Sequence, residues 1–352
     1  MKNKAILILA LFMLTSCSSL TLNEENKYLR SIKLGGEWFL NNQDGDFIYY
    51  QYYPFERRHS SKQQRLREMG ALWSISKLAD FLNDTRYTKL ADKGFRYFEG
   101  YFEYDEENDL YFVDITPEKI KLGYNAFVIL TLLEIEHPKK DFYLEKFANG
   151  IIYMQNNDGK LRTFFYSDRD TGTDYYPGEA LLALMSLYEY TKDDKYLETV
   201  QKAFPYYVEY FRDDKNTAFV PWQTRAYHKL YQITEDKEVL DFIFEMNDYV
   251  LDEYSPEEHC SIFEFDSIVA AVHMEGVNKA YDLAKKTNDK ERADCYANFI
   301  KEGSEFILTL QITEGKKEAI GGFLGSPDSE SMRVDRNQHA VLLLMDAYEL
   351  LK

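Results

Sequence analysis

Proline and glycine are scarce, at 8 and 17 residues in a chain of 352, which leaves too few turn formers for a many-turned β sandwich. Cysteine numbers three, and no paired CxxC, HExxH, P-loop or GxSxG phrase occurs. The common metal, phosphate and serine-nucleophile signatures are therefore missing. Basic side chains fall short of acidic ones, 42 against 60, for a net charge of −18. Neutralising phosphate needs clustered Lys and Arg, so a nucleic acid or an anionic membrane surface is excluded as the main partner. What is abundant is aromatic and apolar: 16% and 45% of residues, with 29 Tyr. That composition excludes a disordered chain and predicts a packed core, enough for one large domain or two ordinary ones. The balance suits a large helical protein.

The N-terminus carries Lys2 and Lys4, then an unbroken apolar run of ten residues, Ala5–Leu14. Such a run is half the roughly 20 residues a membrane-spanning helix needs, and it matches the apolar region of a secretory signal. No other stretch is long and apolar enough to cross a membrane. Leu14-Thr15-Ser16-Cys17 resembles the lipobox of bacterial lipoproteins. The resemblance implies a signal peptide over residues 1–16, lipidation of Cys17, and a linker over 17–23. Ser18 after the cysteine resembles outer-membrane sorting, so the expected location is the bacterial cell envelope, with membrane contact through the lipid alone. Cys260 and Cys295 remain. A helix of about 20 residues, ~30 Å, is expected between them, and a bridge needs Cα atoms within about 7 Å. Two free, buried thiols are therefore expected.

Past residue 24 a phrase recurs: an apolar helix, a tight polar turn, and an amphipathic helix. The turns read Asn83-Asp84-Thr85-Arg86, Lys192-Asp193-Asp194-Lys195, Glu235-Asp236-Lys237 and Asn288-Asp289-Lys290, with His137-Pro138 in a variant. Each is an αα-hairpin. One helix set, near 65–83, 122–136, 175–191, 221–234, 266–287 and 335–351, is apolar almost all round, as buried helices are. The other, near 24–41, 86–104, 140–155, 194–212, 237–253 and 290–310, alternates apolar stripes with Lys, Glu and Asp. Six of each predicts an all-α (α/α)6 toroid, with buried helices inside and amphipathic ones outside, in one domain over 24–352.

Two outer helices end in Gln-led Asp-Gly-x-apolar phrases of one kind, Leu40-Asn41-Asn42-Gln43-Asp44-Gly45-Asp46-Phe47 and Met154-Gln155-Asn156-Asn157-Asp158-Gly159-Lys160-Leu161, and a looser copy runs from Leu310-Gln311 to Gly321-Gly322-Phe323. The phrase resembles that of the six-hairpin, glycosidase-like toroids, which include glycoside hydrolases, uronate lyases and uronate epimerases. Physically, Asp-Gly makes the tight turn that opens a short β-hairpin in a rim loop. Terpene-cyclase-like and lanthionine-cyclase-like toroids are set aside, for want of an Asp-rich inner helix and of a Cys, Cys, His zinc set.

The long loops, Asn42–Gln64, Asp105–Lys121, Asn156–Asp174 and Gln311–Asp335, gather on the rim at the inner-helix N-termini, where function concentrates and anions are favoured. Polar residues crowd there, and buried ones cost ~1–3 kcal/mol unless paired. Asp174 reads as an N-cap, and Asp266 and Asp335 could be caps too. Capping does not explain the Arg, Trp and Tyr. A sugar-binding cup does: Tyr124 and Trp222 to stack on rings, Arg67, Arg225 and Arg333 to bond carboxylates. Hydrolysis needs two carboxylates, and Glu179, Asp266 and Asp335 are the candidates. Uronate elimination or C5 epimerisation would use Arg225 and Arg333 with Tyr176 and His339. His273 and His228 lie deeper in their helices and read as structural. No metal or cofactor is required. The expected partner is a poly- or oligosaccharide, uronate-containing ones included. The expected function is glycan cleavage, by hydrolase or lyase chemistry. The alternatives are uronate epimerisation and a non-catalytic lipoprotein that binds a polysaccharide or an envelope partner.

Overall fold

The computed structural model describes residues 26–115, 119–255, 260 and 262–350; Cys17 and the signal segment lie outside them. Twelve helices appear among the described residues. Six are inner: α2 (Arg65–Leu82), α4 (Leu122–Glu134), α6 (Tyr176–Thr191), α8 (Val220–Thr234), α10 (Val269–Lys286) and α12 (Val334–Leu350). Each packs on the next, and α12 returns to α2, so the ring closes. The outer six are α1 (Lys27–Asn41), α3 (Thr85–Glu99), α5 (Lys140–Tyr153), α7 (Asp194–Asp213), α9 (Lys237–Tyr254) and α11 (Lys290–Thr309). This is the (α/α)6 toroid.

Burial follows the two patterns. Every residue of α4 from Leu122 to Leu132 is buried. In α7 the buried residues, Tyr196, Thr199, Val200, Ala203, Phe204, Tyr207, Val208 and Phe211, recur at the three- and four-residue spacing of a one-sided helix. Four of the hairpin turns share one device, the His137-Pro138 turn being the exception. Asn83, Lys192, Glu235 and Asn288 take left-handed backbone, and the Asp that follows each caps the next helix. Asp84, Asp193, Asp236 and Asp289 accept from the N–H of Arg86, Lys195, Glu238 and Arg292. A chain reversal and a helix start are thus written in two adjacent residues.

The Gln-led phrases stitch the outer ring. Gln155 Nε2 donates to the Thr199 carbonyl of α7 at 2.8 Å, and Gln311 Nε2 to the Ser31 carbonyl of α1 at 3.0 Å. Gly321 has φ +85°, and a Cβ there would overlap the Leu34 carbonyl, which explains glycine at the end of the third copy. Asp158-Gly159 turns the chain into a single bridge, Gln155 to Leu161. Asp44-Gly45 opens no strand directly: Asp44 Oδ1 accepts from the N–H of Asp46 and Phe47. Strands come later in that loop, where β1 (Gln51–Tyr53) pairs with β2 (Arg58–His59) and with β5 (Met332–Arg333). Pairing of β1 with β5 ties the first rim loop to the start of α12.

Three expectations are corrected. The second outer helix, α3, does not reach residue 104. It stops at Gly100, and β3 (Phe102–Asp105) pairs with β4 (Leu110–Val113). Asp174 caps nothing. It accepts from Tyr210 Oη and Asn216 Nδ2, while Tyr175 holds the cap position of α6. Cys260 and Cys295 are disulfide-bonded, with Cα atoms 5.4 Å apart. The expectation of free thiols placed Cys260 at the rim. In fact Glu264 N–H donates to the Tyr254 carbonyl, so the chain leaves α9 and returns to the same place. There Cys260 meets Cys295, which stands in the second turn of α11. The bridge closes a 35-residue separation, and by the chain-entropy estimate its loss costs about 3–4 kcal/mol. Wild type unfolded with reductant should lose that much stability, and the Cys260→Ser/Cys295→Ser chain should be insensitive to reductant.

Candidate functional site

All six inner helices contribute to a cup of about 440 Å³ at their N-terminal ends. Of the residues singled out in the sequence, Arg67, Tyr176, Glu179, Trp222, Asp335 and His339 line it together. Glu179 stands in the first turn of α6, and Gly123 of α4 faces it: a Cβ at residue 123 would overlap the Glu179 carboxyl. Glu179 Oε2 is buried with no hydrogen-bond partner. Burial pushes its carboxyl up to about 8, only partly offset by the Lys121 ammonium. Glu179 is therefore a neutral acid at pH 7, set in the wall of the cup.

Asp335 is its opposite. Burial pushes it up, but hydrogen bonds from Arg333 and the charges of Arg333, Arg67 and His339 outweigh that and hold it below the usual carboxylate range. Arg333 grips both carboxylate oxygens, with Nε to Oδ1 at 2.9 Å, and Arg67 Nε lies 3.4 Å from Oδ2. Arg67 also donates to Tyr50 Oη at 2.8 Å. Two acids in one cup thus have proton affinities driven apart, the pattern that separates an acid from a base. Burial pushes the Tyr176 phenol up to about 12, with Glu179 adding to it.

His339 is held from behind. Its Nδ1 donates to Glu275 Oε1 at 2.8 Å, and Arg225 donates to Glu275 Oε2 at 2.5 Å. The Arg225 guanidinium lies 4.8 Å from the Trp73 ring and 5.1 Å from that of Trp222. These residues form a charged, aromatic floor across the toroid. Beneath it a larger cavity, about 540 Å³, opens at the C-terminal ends of the inner helices. Its mouth is collared by ion pairs between successive inner helices: Lys77 with Glu134 at 3.4 Å, Lys229 with Glu189, and Lys279 with Asp346 at 3.4 Å. Those charges are mutually satisfied, whereas the smaller cup holds the unpartnered acid.

The remaining sequence candidates fall elsewhere. Asp266 is exposed and outside the cup, because α10 begins at Val269 and not at residue 266. Arg225 lies one helical turn beyond Trp222, which puts it in the floor, facing the lower cavity. Arg333 does not line the cup; it clamps Asp335. Tyr124 is buried beside the cup and lines a neighbouring pocket. Conversely, His273 does line the cup, since the later start of α10 places it only a turn in. Its Nδ1 is 2.9 Å from Tyr254 Oη, and burial, with the nearby His339, pushes it down to about 4, so it is a neutral imidazole. Lys121 also lines the cup, over the Tyr176 ring at 5.7 Å. Its place immediately before an inner helix was the signal that could have found it. Glu275 gave one too, as a charged residue in a helix buried on most sides.

No family model and no curated protein sequence matches the chain. Solved structures do. An inactive variant, altered at two adjacent aspartates, of an α-1,6-mannanase from Salegentibacter sp. in complex with α-1,6-mannotriose matches at 11% identity and TM-score 0.66, over 92% of this chain and 100% of that one. An unsaturated glucuronyl hydrolase specific for heparin matches at 10% and 0.66, over 92% and 98%. A cellobiose 2-epimerase from Bacillus thermoamylovorans matches at 12% and 0.65, over 92% and 98%. Identities this low carry the fold and leave the reaction open: the chain has the (α/α)6 toroid found in these glycoside hydrolases and in a sugar epimerase.

Proposed function

We propose that the chain is a glycan-cleaving enzyme, a hydrolase in which Glu179 protonates the leaving glycosidic oxygen and Asp335 serves as base or nucleophile. The observation that carries this reading is the neutral, unpartnered carboxyl of Glu179 in one cup with the ionised carboxylate of Asp335. The two supply the acid and the anion that glycoside hydrolysis requires. Trp222, Tyr175 and Tyr176 offer ring faces to a sugar. The mannanase's adjacent aspartate pair has no counterpart in the cup: the pairs here, Asp193-Asp194 and Asp213-Asp214, bound outer helix α7. Mannan is therefore not singled out as the substrate. The lipobox-like Leu14–Cys17 supports a bacterial envelope location in this reading, and the Cys260–Cys295 disulfide suits an oxidising, exported setting.

A second reading has its own observation. His273, backed by Tyr254, and His339, backed by Glu275, bring two imidazoles to one cup. That is a kit for moving a proton at a sugar carbon, as epimerisation requires. The uronate version that relied on Arg225 and Arg333 loses both from the cup, leaving Arg67 and Lys121 as its cations.

The test incubates the wild-type chain and Asp335→Asn with neutral and acidic oligosaccharides in deuterated water. Hydrolysis gives new reducing ends, abolished in the variant. Deuterium uptake at a ring carbon without new ends would replace hydrolysis by epimerisation, and an ultraviolet-absorbing product would replace it by elimination. Saccharide binding with no turnover would leave a binding lipoprotein.

A further inference from the structure

Beside the cup lies a second pocket of about 380 Å³, lined by Arg65, Tyr97, Tyr101, Lys119, Lys121 and Tyr124 among others. Gln64, Leu66 and Lys121 line both, so the two share a wall and a saccharide can run from one into the other. The side pocket is cationic in a chain of net charge −18. No carboxylate lines it among the described residues. Arg65 is spoken for: it donates to buried Glu68 at 2.7 Å and lies 4.8 Å from the Tyr97 ring. Lys119 and Lys121 form no ion pair among the described residues. Lys119 is exposed, and the Lys121 charge is opposed by burial and by Arg67, Lys119 and Arg169 nearby, against which only the Glu179 carboxyl acts. Cations crowded without counter-ions repel one another, and that cost is relieved by an anion bound between them.

The polar groups around these lysines are those a sugar uses. Tyr97 Oη and Tyr101 Oη are 3.3 Å apart, and Tyr124 closes the wall. Aromatic faces flanked by hydroxyls and amides suit a pyranose ring, and ammonium groups suit a substituent with delocalised negative charge.

We propose that this pocket is an acidic-sugar subsite, in which a carboxylate or sulfate on a ring next to the cleaved bond is held between Lys119 and Lys121. The assignment rests on the glycan-cleaving reading of the cup and adds the charge of the substrate and where that charge sits. Lys119 and Lys121 would then set specificity while Glu179 and Asp335 do the chemistry.

Binding is measured by calorimetry on the Glu179→Gln chain, with oligosaccharides of equal length that are neutral, uronate-bearing or sulfated, at low and high salt. The expected result is an acidic ligand bound at least about tenfold more tightly than the neutral one. The preference should shrink at high salt and vanish in Glu179→Gln carrying Lys119→Ala and Lys121→Ala. Which acidic ligand shows it tells carboxylate from sulfate. Equal affinity for neutral and acidic ligands, or a preference that survives loss of both lysines, overturns the subsite and leaves the cleavage reading standing. No binding of any saccharide overturns both.

Discussion

Glu179→Gln is expected to lower kcat by about 10²–10⁴, the usual contribution of a positioned general acid, while making the folded chain more stable at alkaline pH. The two effects share one cause. Burial holds Glu179 protonated, up to about 8 in the folded chain against an ordinary 4.5. In the unfolded chain it ionises near 4.5, so stability falls as pH rises from there through about 8, and is flat beyond. At about 1.4 kcal/mol per pKa unit the full loss is roughly 5 kcal/mol. Gln has no proton to lose and escapes it. Thermal melts from pH 4 to 9 should therefore converge at the acid end and favour the variant at the alkaline end. Wild-type activity should fail as pH rises through about 8, because the acid form of Glu179 disappears. Its acid limb should lie low, because Arg333 and Arg67 keep Asp335 ionised below the usual carboxylate range. A Gln variant that turns over normally, or melts in parallel with wild type at every pH, would remove Glu179 from the acid's role.

The fold was legible because its information is local and repeated. A left-handed residue followed by a capping Asp, as at Asn83-Asp84 or Asn288-Asp289, marks four of the inner-to-outer turns within two positions, the His137-Pro138 turn being the exception. Burial on all sides marks the inner helices equally plainly. The site was legible only to the precision of a helix start. Each residue turns a helix by about 100°, so an error of three residues at α10 exchanged exposed Asp266 for cup-lining His273. Trp222 and Arg225 were placed in one ring by sequence, but a turn of helix separates them, and one stacks in the cup while the other forms its floor. Arg333 and Asp335 lie on either side of Val334, and their ion pair depends on β5 ending where α12 begins. The disulfide escaped because it depends on the path of a loop, which helix periodicity does not encode.

Glu275 should be among the most costly single positions to truncate. Its carboxylate is 2% exposed and receives both His339 and Arg225. Glu275→Ala leaves the Arg225 guanidinium against Trp73 and Trp222 without a counter-ion, and removing one member of a buried pair costs about 3–5 kcal/mol. Arg225→Met should cost a similar amount, for the reverse reason. The double variant Arg225→Met/Glu275→Leu should recover most of the loss, since replacing a buried pair by apolar groups of similar volume is often neutral. Denaturant unfolding of wild type, Arg225→Met, Glu275→Leu and the double variant gives the coupling directly. If the single costs simply add in the double variant, the floor is not held by this pair. The double variant also separates stability from chemistry. It restores the floor's packing but leaves His339 Nδ1 without its acceptor, so a chain that refolds well and still loses sugar turnover would show that the floor orients His339 toward the cup as well as sealing it from the cavity below.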